Sequence, residues 1–426
     1  MEEIAMKNFL ERAKEERLSE KERRNLSIFD AIRRGKEISR AEISRLTDLN
    51  IVTVSNYVSK YIKDNIVFET GLDISSGGRR PELLKLNTES AYSIGIDLGA
   101  QHLSMNVFIV AVILDINGKI VAKEKIKKES ESFEKLSLKV LNLVERLIAK
   151  SGISQQLIKG ICVGIWGVID RYRGMVRYAI EEESIVSYTG LLEQLENTFN
   201  LPVKIEHDAL LAAFGEKWAG GEAISASNNI IFMCADSSCG IVIKGELYYG
   251  ASKSAGELNL SPPRYDVETS KDKCWTNYDF GCCMRSRGLD LGIPQKIKIY
   301  LEEHNDKKTI MTEMAGGDIK KIDFDIVVNS AEQGDEIAKK FLEDAGDYMG
   351  AKAAFLINLF NPEVIVVGRG IERAGDIFFS AIRKAVRRWA YEESVKIVKI
   401  LPASLGEDAV SVGAAGLVTQ EFFANV

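Results

Sequence analysis

Two stretches of this chain follow one pattern. Residues 92–115 read as an apolar strand, a turn with glycine in "IGIDLGAQHL", and a second apolar strand. Residues 229–244, "NIIFMCADSSCGIVIK", read the same way. A strand–glycine turn–strand unit used twice places two loops on either side of a cleft. Further strands are predicted at 119–126, 160–165, 203–206 and 363–367, and helices at 131–150, 208–219, 334–359 and 373–389. Strands flanked by long helices imply an α/β architecture.

A length of 426 residues exceeds one ordinary core, so several domains are expected. The net charge of −6 excludes a chain that coats nucleic acid along its whole surface. Charge is uneven, however. Residues 25–85 carry 10 Lys and Arg against 8 Asp and Glu, a mildly basic module on an acidic body. The longest apolar run, Val107 to Leu114, is far too short to span a bilayer, so no membrane partner is expected. The first 24 residues are charged and helix-forming, unlike a signal peptide, and read as an arm (1–24). The six cysteines then read as reduced thiols of a cytoplasmic protein.

Residues 25–88 read as a winged helix-turn-helix. Ile28, Ala31 and Ile32 share a helix face that ends at Gly35. Ser39 with Glu42 forms a capping box for a helix burying Ile43 and Leu46. After the turn Asp48-Leu49-Asn50, a second helix starts near Ile51 with Val54, Val58 and Ile62 inward. Its outward Thr53, Ser55, Asn56, Ser59 and Lys60 suit base edges and phosphates, and Arg40 joins this DNA-facing set. "NIVFETG" and "RRPELLKLN" alternate like the strands of a wing. At the wing tip, Gly77 and Gly78 permit close approach to a duplex, and Arg79 and Arg80 suit a narrow minor groove. A three-helix interaction module with a solvated basic loop is the plainer alternative.

The runs "SRAEISRLT", "SSGGRRPELLKLN", "IGIDLG", "ICVGIWGVID", "EHDALLAAFGE", "GIVIKGELYYGASKSAGE", "NPEVIVVGRG" and "LGEDAVSVGAAG", in this order, resemble the ROK family (repressor, open reading frame, kinase). The resemblance covers nearly everything after residue 25. It implies a two-lobed actin-like or hexokinase-like ATPase fold behind the winged helix-turn-helix. Residues 90–218 would form the first lobe, to which the C-terminal helix can return, and residues 219–426 the second lobe with a dimerisation surface. Members with the N-terminal head resemble sugar-responsive repressors; members without it are mostly sugar kinases.

The resemblance assigns Asp208 to the family's catalytic aspartate and Glu257 to a residue that contacts sugar hydroxyls. Two such carboxylates suit a polyol. A helix-capping role is the plain alternative for Asp208, and a surface glutamate for Glu257. His207 replaces the usual asparagine and Trp166 the usual proline, while Gly164 and Gly167 mark a strand-end turn. Gly164, Trp166, His207, Asp208 and Glu257 therefore form the expected effector site.

Both phosphate loops depart from the kinase pattern. After Asp97 and Gly99 come Ala100, Gln101 and His102, where the family's kinases carry threonine and lysine. The second loop carries Asp236, whose charge repels phosphate. Gly368 lies in a turn that can shelter an adenine. The family's zinc motif has Leu260 for its histidine and keeps only Cys274 and Cys282, with Cys283 added. No cofactor is expected; zinc on those three thiols is the alternative. The expectation is a repressor of carbohydrate-metabolism genes. It would be controlled by a sugar or sugar phosphate, bind operator DNA, and form a homodimer or dimer of dimers. An active ATP-dependent sugar kinase with a DNA-binding head is the alternative, as is control through a protein partner.

Overall fold

The computed structural model describes residues 18–72, 82–99, 108–129, 132–170, 174–177, 185–235, 238–258, 290–304 and 307–424. Capping residues fix the N-terminal head. Ser19 and Glu22 close a capping box at the start of α1 (Glu20–Gly35), so this helix begins inside the segment read as an arm. β1 (Ile38–Ser39) leads to α2 (Arg40–Thr47), which opens on the expected Ser39–Glu42 box. Asp48 turns the chain in the left-handed region at φ 55°, and Asn50 caps α3 (Ile51–Lys63) through the Thr53 N–H. β2 (Val67–Leu72) and β3 (Glu82–Leu86) pair antiparallel as the wing, with β1 added on the far side of β3.

Two inward assignments are corrected. Leu46 is 65% exposed, because the inner side of α2 follows Arg40, Ile43, Ser44 and Thr47. On α3 the buried row is Val54, Val58 and Tyr61, leaving Ile62 half-buried.

The body is one motif used twice. β4 (Tyr92–Asp97), β5 (Phe108–Asp115) and β6 (Ile120–Lys127) form an antiparallel meander. After α4 (Phe133–Ser151), β7 (Ile158–Ile165) pairs parallel with β4. A small sheet of β8 (Val168–Asp170), β9 (Met175–Arg177) and β10 (Ile185–Ser187) follows, then α5 (Thr189–Phe199). β11 (Val203–His207) completes the first large sheet, in order β11-β7-β4-β5-β6.

α6 (Asp208–Ala219) leads to the second half. There β12 (Ile230–Cys234), β13 (Ser238–Ile243) and β14 (Glu246–Leu247) repeat the meander. Helices α7 (Ile293–Glu303), α8 (Phe324–Glu332), α9 (Glu336–Phe360) and α10 (Gly375–Trp389) cover this half. β15 (Val364–Gly368) and β16 (Lys399–Pro402) give the order β14-β13-β12-β15-β16, the same connectivity as the first sheet. The C-terminal α11 (Ala409–Ala424) returns to the first sheet.

α6 and α11 cross with their backbones nearly touching. A Cβ on Gly215 would strike the Ala409 carbonyl, and one on Gly413 the Leu211 carbonyl. The small residues Gly346 and Gly350 of α9 serve a second such contact, against Phe378 and Ile382 of α10. They pack within the chain rather than across a subunit boundary. No described helix is long and apolar enough to cross a membrane.

Candidate functional site

In sheets of this kind, ligands gather at the carboxyl ends of the parallel strands. Asp97 ends β4, His207 ends β11, and they align with Gly164 and Ile165 of β7. From the other half, Gly368 ends β15 beside Cys234 of β12. Glu257 bridges to Ser238 at the start of β13. The cleft floor thus draws one acidic or polar side chain from each of several distant segments.

The most buried charges here form one chain of contacts. Asp97 Oδ1 accepts the Gly99 N–H at 2.8 Å, tightening the first turn. Its Oδ2 accepts Nη1 of Arg369 at 2.5 Å, while Arg369 Nη2 donates to Asp208 Oδ2 at 2.9 Å. All three side chains are at most 7% exposed. Burial pushes the Asp97 carboxyl above the usual range; the Arg369 charge opposes this and the Asp208 charge adds to it. Burial works against the Arg369 charge, but Asp97 and Asp208 outweigh it and hold the guanidinium protonated. Arg369 adopts φ 72°, a left-handed conformation that costs an L-residue about 1–2 kcal/mol.

Asp208 does not cap its helix. That role falls to His207, whose Nδ1 accepts the Ala209 N–H at 3.1 Å. This leaves the Asp208 carboxylate free for Arg369, and the capping alternative is set aside. His207 Nε2 lies 3.2 Å from Glu257 Oε1 and pairs with it. Burial disfavours a charged His207, yet Glu257, Asp208 and Glu206 together raise its pKa above the ordinary imidazole value. Two buried polar atoms in this region, Asp208 Oδ1 and Arg369 Nε, make no hydrogen bond. Each such atom costs about 1–3 kcal/mol unless a ligand or water satisfies it.

The remaining expected residues sort differently. Trp166 is half-buried just past the end of β7. Gly164 lies within β7, where a Cβ would strike Val410 and Leu211, so it packs α6 and α11 onto the sheet. Gly368 likewise faces Phe232 and Ala403. Packing accounts for both glycines. Gln101, His102, Asp236, Leu260, Cys274, Cys282 and Cys283 lie outside the described residues. Among the described residues no cluster of potential metal ligands is found, and Cys162, Cys234 and Cys239 are buried thiols outside any disulfide.

On the head, Asn56, Ser59 and Lys60 are exposed on α3, with Thr53 and Ser55 half-buried beside them. Ile51 and Val52, exposed at the start of α3, were missed by reasoning from polarity; apolar side chains there suit thymine methyl groups. Arg40 is held by Glu69 at 2.7 Å and Glu82 at 3.4 Å, which ties α2 to the wing. The tip residues Gly77, Gly78, Arg79 and Arg80 lie outside the described residues.

The head is not separate from the body. Arg33 lies 4.2 Å over the Trp218 ring at the end of α6 and donates to the Trp218 carbonyl at 2.9 Å and the Asn117 carbonyl at 3.3 Å. Phe29 stacks on Phe423 of α11, with centroids 3.9 Å apart. Arg34 donates to the Ser225 carbonyl at 3.0 Å, and Arg23 pairs with Glu246 at 2.8 Å. α1 therefore touches both halves of the body. α6 runs from the cleft, at Asp208, to the head, at Trp218.

The duplicated sheet and inter-lobe cleft define an actin-like or hexokinase-like α/β protein carrying a winged helix-turn-helix. A profile of the ROK family matches residues 93–421, and the chain belongs to that family. A putative xylose repressor of Caldicellulosiruptor sp. (strain Rt8B.4) is 30% identical over 403 residues, 94% of this chain and 96% of that one. The DNA-binding transcriptional dual regulator NagC of Escherichia coli (strain K12) is 23% identical over 93% of this chain and 92% of its own. Among solved structures, a ROK family transcriptional regulator, homolog of the E. coli MLC protein, matches with TM-score 0.71 at 19% identity. That match covers 95% of this chain and 97% of that one. A ROK family glucokinase from Streptomyces griseus, in complex with glucose and AMPPNP, matches with TM-score 0.61 at 24% identity over 77% and 99%. These structures share the fold. In the present chain the Arg369 guanidinium stands between Asp97 and Asp208.

Proposed function

We propose that this chain is a transcriptional repressor of carbohydrate-metabolism genes, whose operator affinity is set by a sugar bound beside Asp208 and His207. The observation that carries the reading is the pair of unspent buried polar atoms on Asp208 and Arg369, beside the His207–Glu257 pair. A polyol supplies both a donor and an acceptor at every hydroxyl, which matches a carboxylate acceptor beside a guanidinium donor. Glu257, at the rim, adds a second carboxylate. Relatives named as a putative xylose repressor and an N-acetylglucosamine repressor make xylose the first effector to test and N-acetylglucosamine the second. DNA would be read by Ile51, Val52, Asn56, Ser59 and Lys60 of α3, with the wing beside them.

The proposed mechanism follows from α6. A ligand that favours one lobe arrangement moves the cleft end of this helix. Its other end carries Trp218, on which Arg33 of the head rests. The sugar then shifts the DNA-competent population by its differential affinity for the two arrangements. Phosphoryl transfer is not part of this reading.

DNA half-sites favour a two-fold dimer. Phe355, Leu359, Trp389 and Tyr391 are exposed near the ends of α9 and α10. Asn358 joins them by donating to the Trp389 carbonyl at 3.1 Å and accepting the Tyr391 N–H at 3.0 Å. This apolar patch is the proposed dimer surface, and Phe355→Glu with Trp389→Glu should give a monomer in sedimentation experiments.

Thermal unfolding with a panel of free sugars and sugar phosphates tests the effector. One sugar should raise the melting temperature saturably. Asp208→Asn should abolish the shift while leaving DNA binding in place. A shift that survives in Asp208→Asn would move the site elsewhere. No shift with any sugar would favour control through a protein partner.

A further inference from the structure

We propose that Arg369 is a built-in cation that occupies the position a divalent metal and its polyphosphate would need, and so makes the cleft selective for uncharged polyols. Three observations support this. First, Asp97 and Asp208 come from positions 111 residues apart, yet both point one carboxylate oxygen at the same guanidinium, at 2.5 and 2.9 Å. Second, Arg369 reaches them from the other half of the duplicated fold, across the cleft, with 7% of its side chain exposed. Third, it sits in the left-handed region between Gly368 and Gly370, in a turn where glycine would be unstrained. A strained arginine in a glycine turn is retained for what its side chain does.

The electrostatic logic is simple. Two buried carboxylates facing one point demand a positive charge, and hard oxygen ligands would otherwise recruit Mg²⁺ or Mn²⁺. A guanidinium tethered to β15 meets that demand from within. It cannot bridge to a nucleotide as a metal does, because Nη1 and Nη2 are spent on Asp97 and Asp208. Removing the charge should restore the demand.

Arg369→Gly relieves the backbone strain and deletes the charge. Arg369→Gln deletes the charge but keeps bulk, and Arg369→Lys keeps the charge. The full-length variants are titrated with MnCl₂, alone and with ADP, following thermal unfolding and the electron paramagnetic resonance signal of free Mn²⁺. Wild type and Arg369→Lys should bind Mn²⁺ only diffusely, whereas Arg369→Gly and Arg369→Gln should gain about one site of at least tenfold higher affinity. A Gly variant that folds only when Mn²⁺ is present supports the same conclusion. Neutral variants that bind no better than wild type would overturn the proposal, as would Arg369→Lys gaining as much as Arg369→Gln. So would saturable binding of Mn²⁺–ADP by wild type. Neither sugar nor DNA enters this readout, so its failure would leave the effector reading standing, and the reverse.

Discussion

Asp208 is the residue on which two demands meet. One oxygen is committed to Arg369 at 2.9 Å, and the other is buried without a partner. Removing one partner from a buried ion pair strands the other charge. Asp97→Ala should therefore destabilise the fold by about 3–5 kcal/mol, read from urea unfolding. Arg369→Gly should lose more than Asp97→Ala, because it leaves two buried carboxylates facing each other without a cation, and relief of one strained φ, about 1–2 kcal/mol, does not offset that. The strand–turn pattern pointed to Asp97, and the family resemblance to His207, Asp208 and Glu257. Both missed Arg369. A basic residue inside "GRG" carries no periodicity, and its meaning appears only when β4, α6 and β15 converge. The visible signal was the replacement of glycine character in a turn that closes a buried strand. Gly164 and Gly368 also carry packing roles that a glycine near a strand end does not announce until the side chains packed on it are known.

α6 links cleft and head, and its ends can be tested separately. At the crossing with α11, Gly413→Ala would press a methyl group into the Leu211 carbonyl and should cost about 1–3 kcal/mol of stability. At the head end, burial and the nearby Arg34 push the Lys217 ammonium down to about 8, although its Nζ donates to the Ser225 and Ser227 carbonyls. The unfolded chain, with the ordinary value of 10.5, holds that proton more tightly than the fold does. Charged Lys217 thus weakens the fold below the lowered value, and this penalty fades as pH rises from about 8 toward 10.5. Relative to Lys217→Met, the wild-type protein should gain stability across that window, read from melting temperature against pH. A flat difference would mean that the ammonium is already well solvated. The capping boxes of α1 and α2 show how local chemistry writes an element's start into the sequence. The inner face of an eight-residue helix such as α2 is less legible. With barely two turns, packing partners decide whether Leu46 or Thr47 turns inward.

At the scale of the whole molecule, the duplicated connectivity was legible from the repeated strand–turn–strand pattern and from the order of the motifs. The union of head and body was not. The charge balance marks residues 25–85 off from the acidic body, yet Phe29 stacks on Phe423 and Arg33 spans Trp218 and Asn117. These contacts join positions hundreds of residues apart, and no local pattern encodes them. They give the proposed effector site a path of direct contacts to α1 of the head. Arg33→Met keeps the apolar stem over Trp218 and removes the carbonyl contacts. It should preserve sugar binding and DNA binding but weaken the dependence of one on the other.

The most direct measurement is fluorescence anisotropy of a DNA site selected by the protein from a random pool, titrated with and without the sugar that stabilises the fold. Wild type should change its DNA affinity by about 5–150-fold when the sugar is added, and Asp208→Asn should not change at all. Equal affinity with and without the sugar in wild type would contradict coupling between the cleft and the head.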